Sequence, residues 1–197
     1  IKVVYKKLVQ DIYNPKTVSF FNEQTEEKEE HTYIFDLEKA TRPIIFIEKF
    51  CKHSKGKWAG QPVELELWQK AYIQAAFGFV DKDTGLRKYR KVILFVARKN
   101  GKSTLAAGIG NYMLTSAGEG GAEVYSVATK KEQAKLAWEE AKRMIKKSPA
   151  LKARTRTLVN GIFFDKTESF FKALASDSNS LDGLNAFYII ADEVHAW

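Results

Sequence analysis

The sequence predicts an α/β fold, a mostly parallel sheet covered by helices, with a small N-terminal appendage over residues 1–60 and the core over residues 61–197. Three observations predict it. Short apolar runs rich in strand formers, at 92–96, 124–127 and 187–191, alternate with segments whose apolar residues recur at helical spacing. Glycines at 85, 101, 118, 120 and 121 punctuate the junctions. A chain of 197 residues that is 45% hydrophobic and 28% charged can bury such a sheet, and its composition excludes a disordered or collagen-like polymer.

Taken in order, residues 1–60 are irregular, and the charged stretch 23–31 reads as a loop or solvated segment. A helix is expected to follow Pro43, with Phe46, Ile47, Phe50 and Cys51 on one side, and to end near Gly56. Leu65, Trp68, Tyr72, Ala76 and Phe79 then recur at helical spacing before a turn at Gly85. Residues 92–96, Val-Ile-Leu-Phe-Val, read as a strand buried on both faces. After Ser103, the spacing of Leu105, Ile109, Tyr112 and Met113 predicts an amphipathic helix. A second strand at 124–127 runs into a capping box, Thr129-Lys130-Lys131-Glu132, whose helix carries Ala134, Ala137, Trp138, Ala141, Met144 and Ile145 on one face and stops at Ser148-Pro149. Residues 162–164 and 170–171 flank 165–168 as a hairpin, and 187–191 form the last strand.

Lys and Arg outnumber Asp and Glu by 32 to 24, for a net charge of +8 and a pI near 9.4. That balance favours a polyanionic partner, nucleic acid or nucleotide, against the alternative of a solvated basic surface. The single cysteine, Cys51, excludes an intrachain disulfide and fits a reducing compartment; beside His53, with no second ligand pair, it reads as a packed thiol near a surface imidazole. No run approaches the about 18 apolar residues of a membrane span, and the first ten residues lack the apolar stretch of a signal peptide, so the chain reads as soluble and intracellular. The missing initial Met and the end at Trp197 fit a chain trimmed from a longer protein.

The chemistry concentrates at Val96-Ala97-Arg98-Lys99-Asn100-Gly101-Lys102-Ser103-Thr104, between an expected strand and an expected helix. Backbone N–H groups at such a junction converge on phosphates; Lys102 is placed to reach the β and γ groups of ATP, Ser103 to ligate Mg2+, and Gly101 to let the backbone approach closely. The first glycine of the usual P-loop pattern is replaced by Val96. A second feature supports the first: the last strand delivers Asp192 and Glu193 at its C-terminal end, where open α/β sheets bind ligands. Asp192 is assigned to the Mg2+ shell and Glu193 to the water that attacks the γ-phosphate. Arg98 is a candidate for offsetting transition-state charge, with an ordinary surface ion pair as the alternative. Together these features predict a P-loop NTPase sheet of the ASCE type that ends soon after the strand carrying Asp192 and Glu193.

Three segments resemble the large terminase subunit of tailed phages. Leu65-Glu66-Leu67-Trp68-Gln69 is similar to the family's adenine-recognition segment, which implies an adenine contact for Gln69. Residues 97–104 match the family's own P-loop, which also lacks the first glycine, and the resemblance implies a catalytic role for Arg98 and nucleotide contacts for Lys99, Asn100, Gly101, Lys102, Ser103 and Thr104. Leu181-Asp182-Gly183-Leu184-Asn185 and the run from Ile190 to Trp197 resemble the segment ending in the acidic pair, Ala191 being a mild departure. The resemblance, from about residue 40, implies ATP and Mg2+ as cofactors and double-stranded DNA, a small terminase subunit, a portal and a homo-oligomeric ring as partners, in the cytoplasm of an infected bacterium. It also implies an endonuclease domain beyond Trp197, with none of its cleavage activity in these residues.

Two alternatives stay open. Asp192-Glu193-Val194-His195 also fits the DExH pattern of helicases. A non-hydrolysing module that grips nucleotide or DNA would fit the basic pI equally well. Arg143 and Arg154 are candidates for a contribution from a neighbouring subunit.

Overall fold

The computed structural model describes residues 16–22, 27–128, 131–175 and 183–192. The chain divides into two units, one of Ile1–Ile45 with Leu65–Phe95 and one of Phe46–Glu64 with Val96–Trp197. The expected division at residue 60 falls inside the segment 46–64 of the second unit.

The first unit holds a sheet absent from the sequence reading. Strands β1 (Lys16–Asn22) and β2 (Glu27–Phe35) pair antiparallel in the stretch expected to be irregular, so Glu27 to His31 lie in a strand and not in a loop. Charge concealed the element, because a strand exposed on one face can be largely polar and still complete a ladder. Helix α1 (Leu37–Phe50) begins six residues before Pro43, where Asp36 Oδ1 accepts the Lys39 N–H at 2.9 Å. Asp36 is thus the start signal, and Pro43 is tolerated one and a half turns in. Helix α2 (Leu67–Gly78) ends in β3 (Phe79–Asp81), which pairs antiparallel with β2. Phe79 therefore belongs to a strand and not to the helix face.

The second unit carries a five-stranded mixed sheet. Helix α3 (Lys102–Thr115), β4 (Glu123–Ala128), α4 (Lys131–Lys147) and the short α5 (Pro149–Lys152) precede β5 (Arg156–Thr157), β6 (Ile162–Phe164), β7 (Ser169–Ala175) and β8 (Ala186–Ala191). The order is β5-β6-β7-β4-β8. Pairs β4–β7 and β4–β8 are parallel, whereas β5–β6 and β6–β7 are antiparallel, so the sheet is mixed where a mostly parallel one was expected. The expected hairpin is present: β6 and β7 flank a 3-10 turn at Asp165–Thr167.

Helix α4 packs on β4 and β7, with Ala134, Ala137, Trp138, Ala141, Met144 and Ile145 all buried. The Trp138 indole N–H donates to the Phe171 carbonyl at 3.0 Å. Helix α3 departs from its amphipathic expectation, since Leu105, Ala107, Gly108, Ile109, Asn111, Tyr112 and Met113 are buried around its whole circumference. It fits because Gly110 has no side chain: a Cβ there would stand 2.8 Å from the Phe171 ring. The capping residues Thr129 and Lys130 lie outside the described residues.

Residues 92–96 do not form the doubly buried strand that was expected. Ile93 is 91% and Phe95 100% exposed, and no pairing is made there among the described residues. A run of Val, Ile and Phe reports a preference for extended backbone; a strand also requires an edge to pair with, which side-chain pattern does not encode. Strand β8 likewise terminates the sheet, and Ile189 is half exposed.

Candidate functional site

The turn leading into α3 carries two residues in the left-handed region, Lys99 at φ 68° and Gly101 at φ 72°, with Asn100 between them at negative φ. Alternation of this kind folds successive N–H groups toward one concavity, which receives anions. Gly101 adopts the conformation at no steric cost, while Lys99 holds it against a penalty of about 1 kcal/mol. The Asn100 side-chain amide donates to the Ala97 carbonyl at 3.1 Å and braces the turn, a role that residue type alone did not announce. The N–H groups of Asn100, Gly101, Ser103 and Thr104 meet no acceptor among the described residues. The last two open a 14-residue helix whose aligned peptide dipoles add positive potential.

The second half of the site comes from the sheet. Asp192 follows β8, and its N–H donates to the Val127 carbonyl of β4 at 3.2 Å, so the parallel register of the two strands fixes where the carboxylate stands. There Asp192 Oδ1 meets Lys102 Nζ at 3.2 Å. Two positions 90 residues apart in sequence, each singled out by its own motif, are therefore in contact. The Asp192 side chain is 12% exposed and that of Lys102 38%.

Ser103 is exposed and Thr104 half-buried in the first turn of α3, and Arg98, Lys99 and Asn100 are exposed on the turn. Glu193 lies outside the described residues, as do Leu181 and Asp182. Gln69 belongs to the first unit; it is buried, and its carbonyl oxygen accepts the Glu66 N–H at 2.9 Å, capping α2. Arg143 is engaged by Glu140 at 2.9 Å and Glu139 at 3.3 Å, and Glu140 also accepts from Ser54 at 2.7 Å. Arg154 is exposed. Cys51 is fully buried, and burial pushes its thiol up to about 12, with Asn111 partly opposing. His53 is half-buried.

These residues fit a nucleoside triphosphate with a divalent cation. The concave row of amide donors and the Lys102 ammonium suit phosphate oxygens, and the Ser103 hydroxyl with the Asp192 carboxylate is a hard-oxygen set of the kind Mg2+ takes. Fold and site thus define an α/β domain with an anion-receptive turn faced by a strand-end carboxylate.

The comparisons with known proteins agree. Residues 67–197 match the family described as the terminase large subunit, ATPase domain. The large terminase subunit of Enterobacteria phage HK97 is 31% identical over 160 residues, covering 80% of this chain and 31% of that protein. The crystal structure of the HK97 large terminase superimposes with a TM-score of 0.66 at 28% identity, covering 78% of this chain and 30% of that one. The chain belongs to the phage terminase large subunit family, in its ATPase domain, and spans about a third of the length of the relative it matches.

Proposed function

We propose that this chain is the ATP-hydrolysing portion of a DNA-packaging terminase large subunit, of P-loop ASCE type, which drives double-stranded DNA into a procapsid. The observation that carries the reading is the contact of Lys102 with Asp192 at the mouth of the amide-lined turn. In this reading the Lys102 ammonium transfers from the Asp192 carboxylate to the β- and γ-phosphates, and the released carboxylate, with Ser103, would hold Mg2+. The cation supplies Lewis-acid neutralisation of phosphate charge. Amides of the turn align the triphosphate, aided by Lys99, Asn100 and Thr104. Glu193 orients a water and takes its proton as the water oxygen bonds to the γ-phosphorus; the bond to the bridging oxygen breaks, ADP leaves with the electron pair, and Arg98 offsets the developing charge. In the same reading, the working assembly is a homo-oligomeric ring meeting a small terminase subunit and a portal in the infected host's cytoplasm. DNA cleavage is assigned to none of these residues.

The test is Mg2+-dependent phosphate release with Lys102→Ala and Glu193→Gln. Each substitution is expected to lower the rate by about three orders of magnitude, while Glu193→Gln keeps nucleotide affinity. Release unchanged in both variants overturns the reading, and unwinding of a short duplex by the chain would move it to a helicase.

A further inference from the structure

The charge of the chain is distributed unevenly. The 31 residues from Lys142 to Lys172 contain nine Lys or Arg (142, 143, 146, 147, 152, 154, 156, 166, 172) and two Asp or Glu (165, 168), a net +7 of the +8 carried by all 197 residues. Within this stretch Arg143 is held by Glu139 and Glu140, and Arg156 by Asp165 at 2.8 Å. Lys146, Lys147, Lys152, Arg154 and Lys166 are exposed and have no ion-pair partner among the described residues.

Topology puts these five side chains on one edge of the sheet. Strands β4, β7 and β8 run parallel, and the Lys102–Asp192 contact marks the edge at their C-terminal ends. Helix α4 follows the C-terminal end of β4 and returns along β4 and β7 for 17 residues, about 25 Å at the rise of an α-helix, so Lys146 and Lys147 arrive at the opposite edge. Helix α5, with Lys152, and then Arg154 continue from there. The turn holding Lys166 immediately precedes the first residue of β7 and stands at that same edge.

Lysines in the last turn of a helix also favour its dipole, and this accounts for Lys146 and Lys147 as local stabilisers. It does not account for Arg154 or for Lys166, which lie outside any α-helix. We infer that the edge formed by Lys146, Lys147, Lys152, Arg154 and Lys166 is a contact surface for the phosphate backbone of duplex DNA, on the side of the sheet away from the nucleotide. The inference rests on the reading that the chain acts on duplex DNA, and names the part of it that touches. Flexible ammonium groups without base-reading partners suit sequence-independent binding, which a translocating motor requires.

The experiment is fluorescence anisotropy of a labelled duplex of about 30 base pairs, without nucleotide, over a salt series. The variant Lys146→Ala/Lys147→Ala/Lys152→Ala/Arg154→Ala is set against Lys55→Ala/Lys57→Ala/Arg90→Ala/Lys91→Ala, which removes the same charge elsewhere. Each lost phosphate contact lowers the log–log salt slope by about 0.9, so the first variant is expected to lose about 3 to 4 in slope and at least about tenfold in affinity at moderate salt. The control and a Lys146→Arg/Lys147→Arg/Lys152→Arg variant are expected to bind as the unmodified chain does. If circular dichroism shows the quadruple variant unfolded, Lys152→Ala/Arg154→Ala is used, with a slope loss of about 2. An unchanged slope overturns the inference, as does an equal loss in the control, or lost binding to anionic phosphatidylserine vesicles with duplex binding intact. Phosphate release without DNA stays at the level of the unmodified chain in Lys146→Ala/Lys147→Ala/Lys152→Ala/Lys166→Ala, which keeps Arg154, and Lys102→Ala keeps duplex binding. Failure of the surface is therefore distinguishable from failure of the nucleotide site.

Discussion

Two glycine-bearing turns of this chain, at 81–85 and 97–102, are built alike and finished differently. In the first, Asp81 supplies an anion from the chain itself: Oδ1 accepts from the Thr84 N–H at 2.8 Å, the Thr84 hydroxyl at 2.9 Å and the Asp83 N–H at 3.1 Å, while Oδ2 meets His31 Nδ1 at 2.8 Å. The Gly85 N–H closes the loop on the Asp81 carbonyl at 2.9 Å. In the second, the corresponding donors of Asn100, Gly101, Ser103 and Thr104 have no such acceptor among the described residues. A turn that carries its own carboxylate is scaffold. One that presents convergent donors without an internal acceptor is suited to receive an anion, and in the proposed reading it is the receptor for the triphosphate.

The largest effect expected from breaking this distinction comes from paired glycine substitutions. Gly85 sits at φ 69° and Gly101 at φ 72°, so alanine meets the same left-handed penalty of about 1–2 kcal/mol at either. Gly101→Ala is expected to weaken binding of an ATP analogue with Mg2+ by about tenfold, because the conformation is the binding geometry, with little change in melting temperature. Gly85→Ala is expected to do the reverse, lowering stability by about 1–2 kcal/mol and leaving affinity intact. A Cβ at Gly85 would stand 3.2 Å from Lys39 Nζ, the end of a flexible side chain, so the backbone cost dominates. Calorimetric titration and thermal melting of both variants check this, and equal loss of affinity in the two would erase the contrast.

The residues of the receptor turn were legible in the sequence, whereas of the scaffold turn only its place at Gly85 was, for a physical reason. Gly-Lys-Ser ahead of an apolar helix announces a phosphate loop because few other uses need those residue types in that order, and the Asp after a β-branched run announced its partner. Their contact at 3.2 Å required no more than two elements each correctly typed. By contrast, Asp81 and His31 meet across a ladder between β2 and β3, and β2 was concealed by its own charge. Local pattern also overreached at 92–96, where the preference for extended backbone was plain but the pairing was not. The mixed sheet has the same origin: strand spacing suggested crossovers, while the antiparallel β5–β6–β7 portion depends on a hairpin that was recognised without being attached to the sheet.

A medium effect is expected from acid. Hydrogen bonds from the Thr84 backbone, then His31 and the Thr84 hydroxyl, hold the Asp81 carboxyl down to about 2 from an ordinary value of 3.8. A carboxyl held lower in the folded than in the unfolded chain stabilises the fold above the unfolded value, and that contribution is lost as pH falls from about 3.8 through about 2. Thermal melts between pH 5 and about 2 are expected to show a decline in this window that Asp81→Asn flattens, at a lower melting temperature throughout. Nucleotide affinity of the folded Asp81→Asn chain at neutral pH is expected to match the unmodified one. A fall in affinity would make the first turn part of the receptor.

The smallest effect concerns Lys99, where the receptor turn is strained. At φ 68° a long side chain occupies a region that asparagine tolerates better, so Lys99→Asn relieves part of a penalty of about 1 kcal/mol while deleting one exposed charge. Stability is expected to rise by at most about 1 kcal/mol. Because the ammonium is exposed, its attraction for a triphosphate is screened, and affinity is expected to fall by no more than about threefold at moderate salt and further at low salt. Titrations at two ionic strengths separate the possible roles. A salt-dependent, shallow loss means that Lys99 contributes its backbone geometry and a diffuse field. A tenfold loss independent of salt would mean that its side chain grips phosphate directly as Lys102 is proposed to do, and the receptor would then consist of two lysines on a turn rather than a row of amides with one.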